Sequence, residues 1–245
     1  MSNGITLWEG ASLIDGAPIV VIATGIEEAS TNGKTGPMVQ TWILRSDIAP
    51  GRAIHTGDDA SVCGACPHRG VIVDGVNRDR TCYVTIWQAP RNVYESYHRG
   101  LYPRVSPSEA RLLLSSKRVR LGAYGNPSAA PLPMWRKVTS LAYGRTGYIH
   151  NWRTAARGWR DLVMASVENA AEALMAQAMG YRTFRVRGKQ EPLAPREVKC
   201  PASAEAGHKT SCFDCLACGG LASKAKANIA IIVHGSGASA FERRA

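Results

Sequence analysis

The sequence has no apolar run long enough to cross a membrane. Its longest uncharged apolar runs, residues 17–25 and 228–233, fall well short of the roughly 18 to 20 residues that a membrane helix requires. The N-terminus also lacks the basic start and apolar stretch that mark a secretory signal. Internal repeats and low-complexity segments are absent too, and 45% of the 245 residues are apolar. We therefore expect no membrane association and a folded chain with a sizeable core.

Disulfide bonds are not expected either. No export signal is evident, and the seven cysteines are odd in number and grouped at short spacings. Reduced thiols in such groups indicate metal ligation. The cysteines are therefore the first functional signal in the chain.

Acidic residues are few, and the positive charge is concentrated in the middle of the chain. Residues 99–199 contain 18 Lys and Arg against 6 Asp and Glu, a net charge of +12, whereas the whole chain has a net charge of +11. Such a segment could attract nucleic acid or an acidic protein, or it could be a solvated basic surface. On the strand expected at 181–186 and just beyond it, we expect weak, sequence-independent binding to nucleic acid that involves Arg182, Arg185 and Arg187. Arg185 and Arg187 would share one face of the extended chain, and Lys189 would continue it.

The pattern of apolar residues predicts an α/β fold in a single domain, residues 1–245. Residues 1–60 form a β-rich N-terminal extension with strand-like runs at 17–25 and 38–44, and a cysteine loop lies at about 200–220. We expect further strands at 82–87, 118–124, 147–150, 161–166, 181–186 and 228–234, and helices at 92–99, 108–115, 133–141 and 167–179. This order fits a partial barrel or an open, mostly parallel sheet, with the site at the carboxyl ends of the strands.

The C-terminal cysteines have the spacing of an iron–sulfur site. Cys212, Cys215 and Cys218 form a C-x2-C-x2-C run, and Cys200, which is followed by proline, precedes them by twelve residues. Three thiolates at this spacing suit separate irons of one cubane, and Cys200 completes four ligands. Structural zinc usually takes two separated C-x2-C pairs, and a four-cysteine zinc site is the alternative. We predict a [4Fe-4S] cluster here, with His208 as a further ligand-type residue in the loop.

The N-terminal cysteines predict a second metal site. Cys63, Cys66 and His68 are close in sequence, and Cys82 opens the next expected strand. Three sulfurs and one imidazole match zinc by ligand type, although the one-residue gap between Cys66 and His68 is unusual. The alternatives are an iron–sulfur cluster with His68 or an open iron position as its fourth ligand, and a turn without metal. The two cysteine groups could also share ligands.

Two further features are weaker signals. Tyr148, His150 and Trp152 alternate, so in a strand they would share one face and serve core packing, a stacking platform or a histidine-based site. Glu168 follows an expected strand and is the best isolated acid–base candidate. It also stands where an acid favours a helix N-terminus. The sequence pairs no nucleophile with a base.

Several motifs together resemble an uncharacterised bacteriophage family, the gene product eighty-eight family. The resemblance covers roughly residues 30–235 and rests on the turn at 30–36, the Cys63/Cys66 segment, Gly125-Asn126-Pro127, Trp135, the Tyr148-x-His150 strand and the late C-x2-C-x2-C. Asn126 stands where the family has aspartate, which removes a carboxylate from that loop. The resemblance implies a phage origin, a location in the host cytoplasm and iron–sulfur or zinc binding, and it implies no known reaction.

Two classes of function follow. The first is a phage-encoded iron–sulfur protein with a redox or electron-transfer role, whose basic middle binds nucleic acid or an acidic host or phage protein. Its fold could resemble radical S-adenosylmethionine enzymes, but the chain lacks their C-x3-C-x2-C motif. The second is a zinc-stabilised nucleic-acid-binding protein. A metalloenzyme with an open ligand position is a third possibility.

Overall fold

The computed structural model describes residues 2–244, and its central feature is a sheet of nine strands. The strands of this sheet are β1 (Gly4–Ala11), β2 (Pro18–Thr24), β3 (Val39–Arg45), β6 (Arg118–Tyr124), β7 (Gly144–Ile149), β8 (Met164–Val167), β9 (Thr183–Arg187), β10 (Glu197–Lys199) and β11 (Asn228–Ile232). A separate hairpin consists of β4 (Val71–Val73) and β5 (Val76–Arg78).

Helices occupy most of the connections between the strands. The α-helices are α1 (Pro50–Thr56), α2 (Ala60–Cys63), α3 (Ala89–His98), α4 (Pro107–Leu113), α5 (Leu132–Val138), α6 (Ala170–Ala178), α7 (Cys212–Cys215) and α8 (Ala238–Arg244). Short 3-10 helices lie at Pro67–Arg69, Pro127–Ala129, Arg157–Asp161, Ala204–Ala206 and Gly220–Ala222. No helix within residues 2–244 has the length and apolar character needed to cross a membrane.

The sheet is mostly parallel. Strands β1, β2 and β3 pair antiparallel, and every later pairing is parallel, in the spatial order β3-β6-β7-β8-β9-β11-β10. From β3 to β9 the strands of this sheet neighbour one another in chain order, without the reversal of a doubly wound sheet. The predicted α/β class with a mostly parallel sheet is confirmed, and the β-rich N-terminal segment is continuous with that sheet.

The two faces of the parallel sheet have different environments. On one face Leu121 of β6 packs in the main buried core with Trp135 of α5 and Ala173 of α6. Because successive side chains of a strand point to opposite faces, the neighbours of each core-facing strand residue point to the other face of the sheet. That face carries a smaller buried cluster, which includes Ile231 of β11 and Cys218.

The expected strand at 82–87 is wrong. Residues 81–86 have no regular secondary structure, and α3 begins at Ala89. The segment's polar backbone is satisfied by other means: the Cys82 N–H donates to His68 O at 2.9 Å, and the Arg80 guanidinium donates to the carbonyls of Cys82 and Val84. The guanidinium satisfies carbonyls that a neighbouring strand would otherwise bind. The segment therefore stays irregular although its residue pattern is typical of a strand.

Strand β8 ends one residue later than expected, which changes the role of Glu168. The strand continues to Val167, and α6 begins at Ala170 behind an Asn169 cap, whose side chain accepts from the Glu172 N–H. Glu168 therefore lies in the loop before the helix. Its carboxylate is free to face a site at the carboxyl end of the sheet.

Candidate metal and ligand-binding cavity

One face of the sheet encloses a cavity of about 420 Å³. Residues at alternate positions of six neighbouring strands line it: Gln40 and Trp42 of β3, Arg120 of β6, Thr146 and Tyr148 of β7, Ser166 of β8, Phe184 and Val186 of β9, and Ile229 and Ile231 of β11. Its volume falls within the range of about 300 to 1,000 Å³ that is typical of small-molecule sites.

All four C-terminal cysteines lie in the wall of this cavity. They belong to the cysteine loop, residues 200–222, in which Cys200 and Cys218 are buried and Cys212 and Cys215 half-buried. Backbone hydrogen bonds anchor the loop along its length: Cys200 N–H to Ala230 O (2.8 Å), Cys212 N–H to Lys34 O (3.0 Å) and Gly147 N–H to Cys218 O (3.1 Å). The fold thus gathers the four cysteines that the spacing grouped together.

Burial favours the neutral form of the Cys200 and Cys218 thiols. Burial, together with the charges of the other three thiols, raises the pKa of Cys218 to about 12, against the opposing effect of a hydrogen bond with Tyr148. The pKa of Cys200 is raised by burial and by Cys212 and Cys215. A metal that binds thiolates would have to displace their protons.

The N-terminal cysteines also lie together. Cys66 and Cys82 line the same cavity, and Cys63 packs behind them against the main core. Burial raises the pKa of Cys63, and the neighbouring charges of Cys66 and Cys82 raise it further. The pKa of Cys66 is raised by burial and by Cys82. Two of the three N-terminal cysteines therefore face the same cavity as the C-terminal group.

The His68 side chain is held between two polar partners. Its Nδ1 lies 2.8 Å from Thr81 Oγ1, and its Nε2 lies 3.3 Å from Glu168 Oε2. The ring also stacks on Phe241 of α8, with centroids 5.8 Å apart. Metal ligation by His68 would therefore replace one of its two polar contacts.

Glu168 joins His68 to a second histidine, His150. The His150 Nδ1 lies 4.0 Å from Glu168 Oε1, and the two imidazole centroids are 6.0 Å apart. Burial lowers the pKa of His150 to about 4, so its ring is neutral at pH 7. Burial alone would raise the pKa of Glu168, but the hydrogen bond and charge of His68 hold it below its ordinary value. The result is a carboxylate between two imidazoles.

The sequence alone identifies His68, His150 and Glu168 as three separate candidates. His150 directly follows β7 and Glu168 directly follows β8, and the carboxyl ends of neighbouring parallel strands meet at one edge. By that rule the sequence places the loops after both strands at the same end of the sheet, but it neither pairs His150 with Glu168 nor brings His68 to them. Trp152 leaves the group, because it is fully buried and its Nε1 donates to Ser166 O at 2.9 Å.

Two basic side chains, Lys34 and Arg120, also line the cavity. The Lys34 Nζ lies 2.7 Å from His234 Nε2, and an Arg120 Nη2–H donates to the Tyr83 hydroxyl at 2.7 Å. The Tyr83 and His234 rings stack at 5.9 Å. These four side chains form a continuous polar wall, which we call the cationic wall.

The prediction that three arginines of β9 and its N-terminal flank form a phosphate-binding surface is wrong. Arg182, Arg185 and Arg187 are only 6%, 1% and 4% exposed. Arg185 donates to both carboxylate oxygens of Glu197, at 2.8 and 2.7 Å, and Arg187 pairs with Glu205. Arg182 donates to backbone carbonyls of the cysteine loop. These arginines hold the fold together and cannot reach a phosphate backbone.

No three His, Cys, Asp or Glu side chains within residues 2–244 are arranged so that they could hold a metal ion as they stand. Comparisons with protein-family models, curated proteins and solved structures gave no match. The chemistry of the cavity therefore has to be inferred from its own side chains.

Proposed function

We propose that this chain is an iron–sulfur protein in which Cys200, Cys212, Cys215 and Cys218 hold one [4Fe-4S] cluster at the cavity wall. The observation that carries the proposal is that all four cysteines line one cavity, although eleven residues lie between Cys200 and Cys212. Thiols that served only core packing would not need to face a shared cavity.

The local backbone suits ligands at this spacing. Cys212 and Cys215 are the first and last residues of the single-turn helix α7, and Leu216 follows in the left-handed region with φ of 49°. This conformation costs a residue with a Cβ roughly 1 to 2 kcal/mol. It turns the chain so that Cys218 also reaches the cavity. Three thiolates on one short turn can each bind a different iron of a cubane.

The surroundings of the loop also favour an anionic group. The thiols of Cys200, Cys212 and Cys218 lie close enough to Lys34 to affect its pKa, which burial lowers and these thiols raise. A thiolate-ligated cluster is negatively charged, and cations nearby stabilise the charged form of its ligands. Lys34 and Arg120 supply such cations.

We propose a second metal site at Cys63, Cys66 and Cys82, with His68 as its fourth ligand. The charges of Cys66 and Cys82 help to raise the pKa of Cys63, and His68 lines the same cavity as Cys66 and Cys82. Three thiolates and one imidazole suit either zinc or an iron–sulfur cluster, so both metals are candidates for this site.

A redox role fits a cluster in this position. Cys200 and Cys218 are buried, so a cluster would face the cavity, where a small molecule could exchange electrons with it. The phage origin and the host-cytoplasmic location stay predictions that rest on the motif resemblance. Binding to nucleic acid or to an acidic protein also stays a prediction, but the buried Arg182, Arg185 and Arg187 cannot supply the contact surface.

Anaerobic purification followed by metal analysis tests the proposal. We expect about four irons and four sulfides per C-terminal site, and a broad visible absorption that dithionite bleaches. The Cys215→Ser variant should lose this absorption. Zinc at these cysteines without visible absorption would instead support the zinc-stabilised alternative and contradict the cluster.

A further inference from the structure

The cationic wall concentrates positive charge that no carboxylate within residues 2–244 neutralises. Arg120 is 7% exposed and Lys34 half-buried, and neither forms a salt bridge with a carboxylate in this part of the chain. A guanidinium has five N–H donors, and among the described residues the Arg120 side chain donates only to Tyr83. Buried cations are normally paired. An anion from outside the chain would complete this wall.

The rest of the cavity is suited to an apolar group. Trp42, Tyr148 and Phe184 line it, and the rings of Tyr148 and Phe184 are tilted against each other at 4.1 Å. Pockets of this kind bind small molecules by apolar contact and use a few polar groups to orient them. A ligand here would present a charged end to the cationic wall and an apolar body to the aromatic side chains.

We infer that the cavity binds a small organic oxyanion, a carboxylate or a phosphate ester, with its charged group between Lys34 and Arg120. The geometry favours an oxyanion because the Arg120 fork and the Lys34 ammonium are donors without acceptor capacity. The inference does not require the iron–sulfur cluster. It adds a ligand site to the same cavity.

A fluorescent anion tests this inference directly. The probe is 8-anilinonaphthalene-1-sulfonate, and its uncharged relative N-phenyl-1-naphthylamine reports the apolar contribution alone. Lys34→Gln and Arg120→Gln should each weaken binding of the sulfonate about tenfold, the loss expected for one charge-assisted hydrogen bond. Binding of the uncharged relative should change less than about twofold.

Two control variants remove the same charges outside the cavity. Arg118→Gln changes an arginine on the same strand that stacks on Phe213 and does not line the cavity, and Lys209→Gln changes an exposed lysine of the cysteine loop. Both should bind the sulfonate like the parent. An equal weakening in the control variants would mean that general surface charge attracts the probe, and the inference would fail.

Competition distinguishes the class of oxyanion. Phenyl phosphate and benzoate should displace the sulfonate, and benzyl alcohol should not; the tighter competitor identifies phosphate ester or carboxylate. Displacement by neither anion would overturn the inference.

Iron content is measured in every preparation, so that this inference and the proposed function can fail separately. Variants at Lys34 and Arg120 that lose iron but bind the sulfonate like the parent would show that these cations serve only the cluster. That result would reject the oxyanion site and leave the proposed function in place.

Discussion

Arg185 and Glu197 form an ion pair whose side chains are 1% and 0% exposed. Two hydrogen bonds join the guanidinium and the carboxylate, and Glu197 also accepts from the Ala194 N–H at 2.8 Å. Such a pair satisfies its own charges, but loss of one partner leaves the other charge buried. At the residue scale, positive charge in this chain is therefore a structural feature as well as a surface property.

Replacing Arg185 by leucine should lower the free energy of unfolding by about 3 to 5 kcal/mol, because Glu197 would lose its partner. The Arg185→Leu/Glu197→Leu double variant should recover most of that loss. Urea unfolding followed by tryptophan fluorescence measures both. The matched control is the exposed Arg91–Glu95 pair, where Arg91→Leu should leave the free energy of unfolding almost unchanged because solvent screens both charges. Similar losses in the buried and exposed pairs would contradict this account.

At the scale of elements, the cysteine loop docks on the turn before β3. The N–H groups of Cys212 and Phe213 donate to the carbonyls of Lys34 and Thr35, at 3.0 and 2.9 Å. Asn32 shapes this turn by accepting from the N–H groups of Lys34 and Thr35 through its side chain. The turn motif and the cysteine motif are thus parts of one structural unit.

Gly36→Ala should disturb this docking. Gly36 has φ of 68°, and an added Cβ would lie 2.8 Å from the Phe213 Cβ. We expect a loss of about 1 to 3 kcal/mol in unfolding free energy and a lower iron content. Gly33→Ala is the control, because no described atom lies within 4 Å of its added Cβ. Full iron content in Gly36→Ala would show that the turn does not position the loop.

At the scale of the whole molecule, cysteines from two distant segments of the chain face one cavity. The N-terminal cysteines precede α3 and the C-terminal cysteines precede β11 in the chain. Cys66 and Cys82 nevertheless line the same cavity as the four C-terminal cysteines. The two groups remain separate in their electrostatics. The thiols that raise the pKa of Cys218 are Cys200, Cys212 and Cys215, whereas those that raise the pKa of Cys63 are Cys66 and Cys82. The proposal of two separate metal sites on this cavity rests on that separation.

Replacing Cys66 by serine should remove one metal site and leave the other. We expect the metal content to fall while the dithionite-sensitive absorption of the C-terminal site persists, because Cys200, Cys212, Cys215 and Cys218 are unchanged. Metal analysis and absorption spectra of Cys66→Ser and Cys215→Ser, prepared side by side, check this. Complete loss of metal in both variants would indicate a single shared site, and unchanged metal in Cys66→Ser would indicate that the N-terminal thiols bind none.

Local patterns predicted the elements well where a strand has a clear two-residue period and a clear end. The strand expected at 118–124 is β6 with the same bounds, and the helix expected at 167–179 contains α6. The same patterns failed at 82–87, where the Arg80 side chain satisfies carbonyls that a neighbouring strand would otherwise bind. Alternation shows which side chains could share a face, but it does not show what satisfies the backbone.

By itself the sequence determined the α/β class, the grouping of each set of cysteines and the candidacy of Glu168, because these depend on spacings of a few residues along the chain. Only the tertiary structure decided that Glu168 lies between His68 and His150, that Lys34 contacts His234, and that Arg185 is buried. These contacts join residues up to 200 positions apart, and they arise from the order in which the strands assemble. A charged side chain has the same local pattern on a solvated strand as on a buried one, so its burial depends on what the rest of the fold packs against it.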